Sequence, residues 1–389
     1  MDFRLTEEQR IFRDTVARFV KNEVEPIAAA TDRNHQFPMA TFKKLADMGL
    51  CGIPIPEEYG GAGGSYVELT ILCHELAKAC ASTSVIISVH TGLACMSAWL
   101  YGSERIKEKY LKPLARGEIV SAYALTEPEA GSDAASIKCR AEDQGDYFVV
   151  NGSKMFITNG GVATTYTTFV KTDPSQGPGK GITCLIIEKD TPGLTIGEPI
   201  EKMGLNGSPT VELHFDNCKV PKENILGEQN DGFRIAMSLL DGGRITIGAQ
   251  ALGIAEGALE YTINYIKQRC QFGRPLAANQ GVQWMVADMA TQLEAARLLV
   301  YQAASLKSMG LPHSKEASMA KKFATDTAME ITTNCVQLLG GYGYTKEFPV
   351  ERMMRDAKVT QIYEGANQIQ RIVIGRHVLG RLEEGRANG

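Results

Sequence analysis

The 389-residue chain carries little excess charge of either sign, because 41 Lys and Arg residues stand against 45 Asp and Glu residues, for a formal net charge of −4. The basic residues are dispersed among the acidic ones, so no basic face of the kind that binds nucleic acid is readable. With 44% hydrophobic and 22% charged residues, the composition is that of a globular protein with a sizeable core. We therefore expect no nucleic-acid partner.

The sequence also lacks signs of a membrane or export address. We find no apolar run that approaches the length needed to span a bilayer, and Met1 leads into Asp2-Phe3-Arg4-Leu5 with no cleavable targeting segment. We therefore expect no membrane association and a cytoplasmic location, or the mitochondrial matrix if the chain is a processed eukaryotic form.

Close cysteine pairs are absent as well. The nine cysteines are scattered singly, at positions 51, 73, 80, 95, 139, 184, 218, 270 and 335, with none at metal-ligand spacing. Several lie in apolar patterns, which predicts reduced and mostly buried side chains. His74 beside Cys73 is the nearest approach to a cluster. We interpret His74 as a packing or solvated residue and expect no metal site.

Two common nucleotide-binding signatures are missing. No Gly-x-Gly-x-x-Gly follows a strand and no Walker loop is present, so neither a Rossmann nor a P-loop site is indicated. Composition and these short motifs therefore identify no cofactor.

What the sequence does contain is a hydrophobic period that changes twice. From Leu5 to about Gly117 the apolar residues recur at spacings of three and four residues, which predicts helices. From about Ser121 apolar and polar residues alternate, which predicts strands, and after Gly232 the helical spacing returns. The last segments run for roughly 20 to 35 residues, longer than an average globular helix. We predict an α+β protein with an N-terminal α-helical domain (1–120), a middle β domain of barrel-like or sandwich form (121–231) and a C-terminal helical bundle of four-helix type (232–389).

Two local signals refine this map. The glycine-rich stretch at 60–64 predicts a loop within the first helical region. Asn151-Gly152, inside the alternating region, predicts a hairpin turn.

One carboxylate stands out near the C-terminus, in Tyr363-Glu364-Gly365, between two helical patterns. A glutamate before a glycine at a helix break can point into a cleft, while the glycine lets a ligand approach the backbone. Most such glutamates are solvated helix ends, so this pattern alone leaves both interpretations open.

Five motifs in order resemble the acyl-CoA dehydrogenase family of flavoenzymes. They are YALTEPEAGSD (123–133), KMFITNG (154–160), QRCQFG (268–273), QLLGGYGY (337–344) and RDA (355–357). One such motif would be a hint, but five in family order are specific. The resemblance covers essentially the whole chain, which looks most like the short-chain, butyryl-CoA type.

The resemblance implies FAD, bound in the crevice between the β domain and the C-terminal bundle. Phe156 would lie against the isoalloxazine face and Thr158 would bond its edge, although the alternating pattern alone favours Phe156 as an inward strand residue. Contacts to the flavin and its diphosphate are implied for Tyr123, Leu125, Thr126, Gly131 and Ser132, with Ala366 and Gln368 also at the cofactor. Residues that would reach the adenine half of a neighbouring subunit's FAD are Arg269, Gln271, Phe272, Gln337 and Gly341. A site completed across an interface implies an oligomer, and we expect a homotetramer.

The resemblance also implies the chemistry. Glu364 would remove the α-proton of an acyl thioester and the flavin would accept the β-hydride, giving a trans-2-enoyl-CoA. The Glu364 backbone amide and a ribityl hydroxyl of FAD would stabilise the enolate, and electrons would pass to electron-transfer flavoprotein. Isovaleryl- and long-chain-type members carry their glutamate at the position of Gly243, which cannot act as a base, so these two subfamilies are not expected.

Substrate contacts follow from the same resemblance. Asp241 and Arg244 match positions near the pantetheine and adenosine parts of CoA, and a surface i,i+3 ion pair is an equally plausible interpretation of their spacing. Ile86 and Val89 would shorten the acyl cavity. Glutaryl-CoA dehydrogenases carry an arginine at the position of Ser84, so its absence argues against a dicarboxylyl substrate. Further substrate contacts are implied for Ser132, Tyr363 and Gly365.

Several alternatives stay open at this point. The acyl group could be branched or cyclic. An acyl-CoA oxidase would share nearly every residue named here and return its electrons to oxygen. A monooxygenase of the same fold usually lacks the glutamate. A nucleic-acid-binding scaffold would want a basic groove that the near-neutral charge does not offer.

Overall fold

A computed structural model describes residues 4–380 of the chain. Its first part is helical. Helix α1 begins at a capping box in which Thr6 Oγ1 accepts from the Gln9 N–H and the Gln9 side chain accepts from the Thr6 N–H. α4 begins with the same device at Ser65 and Glu68. The helices are α1 (Glu7–Phe19), α2 (Glu25–Arg33), α3 (Met39–Asp47), α4 (Tyr66–Ala79), α5 (Ala81–Ile87), α6 (Met96–Tyr101), α7 (Glu104–Ile106) and α8 (Lys112–Ala115).

One apolar helical run is longer than we expected from the sequence. α5, a π-helical segment (Ser88–Cys95) and α6 follow one another without a break. The resulting 21-residue segment, Ala81–Tyr101, is long and apolar enough to cross a membrane, so the expectation that no such run exists was wrong. However, 89% of its most apolar window is buried inside the protein, where it packs against the bundle as a core helix.

The middle of the chain forms one mixed sheet of eight strands. The strands pair in the order β6-β7-β3-β2-β4-β5-β8, and β1 runs parallel to β4. Their buried faces form a separate hydrophobic cluster that includes Phe148, Tyr166 and Leu213. The strands are β1 (Ser121–Ala124), β2 (Arg140–Asp143), β3 (Tyr147–Thr158), β4 (Thr165–Lys171), β5 (Ile182–Glu188), β6 (Leu194–Ile196), β7 (Thr210–Pro221) and β8 (Ile225–Leu226).

Asn151-Gly152 is not a hairpin turn, contrary to our prediction. The pair lies in the middle of β3, at a register shift in its pairing with β7. Gly152 has a φ of 135°, and a Cβ there would stand 2.9 Å from Cys139 Cα. The Asn151 side chain accepts from the Asn217 N–H at 2.8 Å. Gly152 therefore supplies the positive φ of a β-bulge within β3 and not that of a hairpin turn.

The last part is a helical bundle built on one very long helix. α9 (37 residues) packs against α11 and against α4 of the first part. α10 and α11 have 29 and 26 residues, but α12 and α13 have only 11 and 13, shorter than predicted. The elements are α9 (Gly232–Gln268), the hairpin strands β9 (Cys270–Gln271) and β10 (Arg274–Pro275), α10 (Gln280–Ser308), α11 (Ser314–Leu339), α12 (Val350–Thr360) and α13 (Asn367–Leu379).

The cysteines and His74 take structural positions. Eight of the nine cysteines are buried and unpaired, as predicted, and Cys270 is exposed. His74 is buried in a charged network, with Nε2 2.8 Å from Glu256 and Nδ1 3.1 Å from the Tyr301 hydroxyl. Between residues 4 and 380, no group of three His, Cys, Asp or Glu side chains is placed to hold a metal ion.

Candidate active site

The candidate base lies in a short turn between two helices. α12 ends at Thr360 and α13 begins at Asn367, so the predicted helix break is present. Glu364 has a φ of 50° and Gly365 a φ of 93°. Both lie in the left-handed region, which glycine adopts freely and glutamate rarely. Such a backbone costs about 1–3 kcal/mol for a non-glycine residue and persists only where its surroundings hold it.

Hydrogen bonds from three helices hold this turn. The Gly365 carbonyl oxygen accepts from Lys321 Nζ at 2.9 Å and from Gln370 Nε2 at 2.8 Å. The Tyr363 hydroxyl donates to Gln250 Oε1. The turn is thereby tied to α9, α11 and α13, and these contacts set the direction of the Glu364 side chain.

The Glu364 carboxylate points at α9. A Cβ built on Gly243 would stand 1.9 Å from Glu364 Oε2, so the absence of a side chain at 243 makes room for this oxygen. The residue is half-buried, but Oε2 itself is buried and has no hydrogen-bond partner. Burial raises the pKa of Glu364 to about 7, against the opposing positive charges of Lys321 and Arg244. A carboxylate with a pKa near neutrality and an unpartnered oxygen has the properties of a general base.

The backbone of this turn offers donors next to the carboxylate. Among the described residues, the N–H groups of Glu364, Gly365 and Ala366 donate to no protein acceptor. An unpaired N–H beside a base is suited to an oxyanion, because it can donate to an oxygen on which charge develops.

Asp241 and Arg244 form an ion pair, but not on the surface. Arg244 is buried, with only 5% of its surface exposed, and its Nη1 contacts Asp241 Oδ1. The Arg244 Nε is buried without a partner. The interpretation as a surface pair is therefore wrong, and the guanidinium lies inside the protein, where its charge acts on Glu364.

A third unpartnered polar atom lies beside Gly242. The Tyr66 hydroxyl is buried without a hydrogen-bond partner, and a Cβ on Gly242 would stand 2.7 Å from it. Lys307 Nζ lies 4.7 Å from the centre of the Tyr66 ring. Burial, and after it the charge of Glu364, raises the pKa of Tyr66 well above its usual value.

The apolar helix Ala81–Tyr101 covers the same point of α9. Leu93 Cδ2 would be 3.2 Å from a Cβ on Gly243, and the Ser88 hydroxyl lies 2.6 Å from that of Thr246. Ile86 and Val89, predicted to bound the acyl tail, are buried in this helix. Apolar side chains next to the carboxylate exclude water, which favours a raised pKa.

A buried lysine and glutamate fix the loop that carries the first cofactor motif. Lys154 is fully buried, and its Nζ donates to the Leu125 carbonyl at 3.0 Å and to Glu127 Oε1 at 2.7 Å. The Glu127 carboxylate also accepts from the N–H groups of Lys138 and Cys139. A buried charge with this many partners holds the backbone from 125 to 139 in one conformation.

Phe156 is an outward-facing residue, so the inward interpretation was wrong. The pairing of β3 with β7 is interrupted between Lys154 and Ile157. In this gap the Met155 N–H donates to the Thr126 carbonyl at 2.8 Å. Phe156 has a φ of 59° and is 56% exposed. A strained backbone that displays an aromatic ring is a sign of a ligand contact.

The other same-chain positions of the predicted cofactor site differ in exposure, and Tyr123 lies close enough to Glu364 to feel its charge. Tyr123, Thr126, Thr158 and Ala366 are half-buried, Leu125 is buried, and Gly131, Ser132 and Gln368 are exposed. A Cβ on Gly131 would enter open space. Asn159, next to Thr158, donates to the Ile86 carbonyl at 3.2 Å, which joins the cofactor strand to the apolar helix. The exposed ring, the unpaired N–H groups and this open space fit a bound flavin nucleotide.

The second cofactor segment lies at the far end of α9. Arg269 is 26 residues beyond Gly243 on a continuous helix, which places it roughly 39 Å away along the axis. The Arg269 guanidinium lies 5.4 Å from the centre of the Tyr342 ring. Gln271, close to Arg269 in the chain, and Gln337 and Gly341, close to Tyr342 in the chain, are exposed. Phe272, at the hairpin tip, is completely exposed. These residues are too far from Glu364 to serve the same site.

Three family models cover nearly the whole chain: the N-terminal domain of acyl-CoA dehydrogenase matches residues 6–118, its middle domain 122–218 and its C-terminal domain 230–379. The chain belongs to the acyl-CoA dehydrogenase family. Members of this family are FAD oxidoreductases, and solved structures similar to the chain include FAD complexes. The predictions of fold, enzyme class and cofactor are therefore confirmed at the level of the family.

Relatives of known specificity are similar over their full length. The short-chain specific acyl-CoA dehydrogenase of Clostridium acetobutylicum is 52% identical, over 96% of this chain and 98% of that protein. The butyryl-CoA dehydrogenase structure from Megasphaera elsdenii has a TM-score of 0.95 at 45% identity, covering 97% of this chain and all of that one. A chain from work on the electron-transferring flavoprotein of Acidaminococcus fermentans and flavin-based electron bifurcation has a TM-score of 0.96 at 49% identity, covering 98% and 100%.

Two grooves lie outside the Glu364 turn of this acyl-CoA dehydrogenase. One of about 520 Å³ opens at Asp241 and is otherwise lined by Gly310–Glu316 and His377. Another, of about 570 Å³, is lined by residues such as Lys78, Glu260 and Arg355 and contains none of the predicted site residues. Asp241 thus stands at an opening to solvent, while Arg244, one turn further on, is inside.

Sequence reasoning missed four residues that shape the site: Lys321, Gln370, Lys154 and Tyr66. Lys321 had a readable signal, because it falls on a helix face of small residues that includes Ala317 and Ala324, where a lysine must be buried. Lys154 had a similar signal as an inward position of an alternating strand. Gln370 and Tyr66 had none, because their roles depend on what the fold places beside them.

Proposed function

We propose that this acyl-CoA dehydrogenase oxidises a short-chain acyl-CoA to the trans-2-enoyl-CoA, with Glu364 as the α-proton base. The single observation that carries this proposal is the Glu364 carboxylate, held over Gly243 with a buried, unpartnered oxygen and a pKa raised to about 7. A base with this pKa is ionised in a useful fraction near neutral pH and still binds a proton strongly.

Proton removal leaves charge on the thioester oxygen, and the same turn supplies a donor for it. The Glu364 N–H donates to no protein acceptor within residues 4–380, so it would be free to donate to this oxygen. One residue then supplies both the base and an enolate donor, so both depend on the contacts that hold the turn.

The apolar helix supports a short acyl chain. Ile86, Val89 and Leu93 are buried there, and Leu93 reaches Gly243 beside the carboxylate. Ser84 carries no charge, and its hydroxyl already donates to the Cys73 carbonyl at 2.7 Å, so this position offers no partner for the distal carboxylate of a dicarboxylyl substrate. Similarity to short-chain and butyryl-CoA dehydrogenases agrees with this size.

The CoA part of the substrate would enter along the Asp241 groove. Asp241 lies between this opening and the buried Arg244, and Ser314 donates to Asp241 at 3.0 Å. Tyr363, Gly365 and Ser132 would complete the substrate contacts, as the family resemblance implies.

FAD, when bound, supplies the acceptor for the β-hydride. Phe156, Thr158 and Thr126 would hold the flavin, together with Tyr123, Leu125, Gly131, Ser132, Ala366 and Gln368. The strained backbone at Phe156 orients its ring, and the Lys154–Glu127 pair keeps the neighbouring loop from moving.

Other subunits and another protein would complete the system. Arg269, Gln271, Phe272, Gln337 and Gly341 would contact the FAD of a neighbouring subunit in a homotetramer. The distance along α9 and the complete exposure of Phe272 support a contact outside the chain's own site. Electron-transfer flavoprotein would then take the electrons.

The test is a substrate panel. The protein, reconstituted with FAD, is mixed anaerobically with butyryl-, isobutyryl-, octanoyl- and glutaryl-CoA, and flavin bleaching is followed. We expect butyryl-CoA to bleach fastest and to yield the trans-2-enoyl product. A colourless protein that binds no FAD, or bleaching by none of the substrates, would contradict the proposal. Rapid oxygen uptake during turnover would favour an oxidase instead.

A further inference from the structure

A lysine amine is buried directly behind the Glu364 turn. Lys321, on α11, is fully buried, and its Nζ donates to the Gly365 carbonyl at 2.9 Å and to Asn367 Oδ1 at 3.0 Å. Within residues 4–380, the amine of Lys321 forms no ion pair with a carboxylate within 4.0 Å. Burying an ammonium group without an ion-pair partner is costly, so the position calls for a reason.

The turn does not need this amine to satisfy its hydrogen bonds. Gln370 Nε2 already donates to the Gly365 carbonyl at 2.8 Å. Asn367 is held independently, because its Nδ2 donates to Thr325 Oγ1 at 2.9 Å and to Asp326 Oδ1 at 2.7 Å. What Lys321 adds to these contacts is positive charge beside Glu364.

We propose that Lys321 is a positioning residue whose charge, placed behind the Glu364 turn, favours the ionised form of Glu364. It reaches the base through the Gly365 carbonyl, which follows Glu364 in the chain, and not through contact with substrate. This inference rests on the proposed role of Glu364 as the base.

The charges around the pair support this role. Burial lowers the pKa of Lys321 to about 7, with the charge of Glu364 opposing it, so the two groups titrate in the same range. Lys321 acts on Glu364 more strongly than Arg244 does. The other titratable or charged groups facing the two are Tyr66, Cys73, Tyr123, Arg244, Asp326 and Tyr363. Asp241 and Lys307 lie one step further away, against Arg244 and Tyr66.

Two matched variants separate charge from hydrogen bonding. Lys321→Met keeps an unbranched side chain only one atom shorter and removes its charge. Gln370→Met removes the other donor to the same carbonyl oxygen without changing charge. In both variants the Gly365 carbonyl keeps one donor, so the turn should form, and FAD content and thermal midpoint report whether it does.

The first readout is the pH profile of flavin reduction by butyryl-CoA. In Lys321→Met the acid limb of kcat/KM should move up by about one pH unit or more, since an opposite charge nearby lowers a carboxyl pKa by about 1–3 units. Gln370→Met should slow flavin reduction at all pH values and leave the pH midpoint of the acid limb unchanged. Lys321→Arg, which keeps the charge, should bring the limb back towards that of the parent.

The second readout needs no turnover. The infrared band of a protonated carboxylic acid, assigned to Glu364 by its loss in Glu364→Gln, is titrated in the parent and in Lys321→Met. We expect the midpoint to rise in the variant. If Lys321→Met does not fold, Lys321→Gln replaces it in both measurements.

Unchanged midpoints in Lys321→Met, or equal shifts in Gln370→Met, would overturn the inference. A parent protein that no acyl-CoA reduces would contradict the proposed function instead. The infrared titration would still decide whether Lys321 controls the proton affinity of Glu364.

Discussion

Adding one methyl group at Gly243 should displace the catalytic carboxylate. A Cβ at this position would stand 1.9 Å from Glu364 Oε2 and 2.9 Å from its Cδ. Non-bonded atoms of this kind settle at roughly 3.5 Å, so the oxygen must move by roughly 1.5 Å. Because the obstructed atom is the end of a side chain, Gly243→Ala should still fold and bind FAD.

The kinetic effect should far exceed the effect on stability. A misplacement of about 1 Å in a reacting group costs about a hundredfold in rate, so flavin reduction by butyryl-CoA should fall by at least that factor. Crowding costs about 1–3 kcal/mol, and the better helix propensity of alanine offsets about 1 kcal/mol of it. Stopped-flow flavin absorbance under anaerobic conditions measures the rate, and the thermal midpoint measures stability.

Gly248→Ala is the matched control on the same helix. A Cβ there would meet Val300 Cγ2 at 3.1 Å and does not approach Glu364. This variant should reduce its flavin at a rate close to that of the parent. If Gly243→Ala, with FAD bound, also reacts at the parental rate, the base is not the carboxylate that lies over Gly243.

Three further predictions concern the base and the cofactor. The double variant Gly243→Glu/Glu364→Gly should reduce flavin faster than Glu364→Gly alone, since Leu93 Cδ2, at 3.2 Å, is the nearest atom outside α9 to the new Cβ once the Glu364 side chain is removed; equal rates would refute a shared position. Arg269→Ala should lose FAD on gel filtration sooner than the parent, whereas Arg274→Ala, a hairpin arginine bonded to Asn279, should keep it; equal retention excludes a cofactor role for Arg269. The third concerns the stability of the folded protein. The pKa of the Glu364 carboxyl is 4.5 in the unfolded chain and about 7 in the folded one, so its contribution to folding is fully present below pH 4.5 and is lost as the pH rises through about 7. Glu364→Gln should therefore gain stability over the parent between pH 5 and pH 8, by about 2.5 kcal/mol, and a constant difference in thermal midpoint would contradict the raised pKa.

The sequence reveals the position of the base but not its surroundings. Glycine at 365 and the helical patterns on either side of it predict the break that the structure has, because glycine adopts the left-handed backbone of such a break without steric cost. Gly243 lies 121 residues earlier, and its contact with Glu364 exists only once α9 and the turn are packed together. Lys321 and Gln370 hold the turn through similarly distant contacts.

Local signals failed where tertiary contacts chose between two uses of the same residues. Asn151-Gly152 suits both a hairpin turn and a β-bulge, and the pairing of the 12-residue strand β3 with β7 on both sides of this point selects the bulge. The alternation around Phe156 predicts an inward side chain, but the bulge after Lys154 turns it outward. Charge spacing at Asp241 and Arg244 predicts an ion pair correctly, while its burial follows from the packing of α11.

The most direct test of the central claim is the rate of flavin bleaching in Glu364→Gln. This isosteric change keeps the shape of the side chain and the backbone N–H, so FAD and acyl-CoA should bind as in the parent. It removes the base, whose contribution is about a hundredfold to ten-thousandfold. On anaerobic mixing with butyryl-CoA, we expect bleaching slowed by at least about a hundredfold, with spectral evidence of a bound substrate. Bleaching at the parental rate would contradict the account and show that another group removes the α-proton.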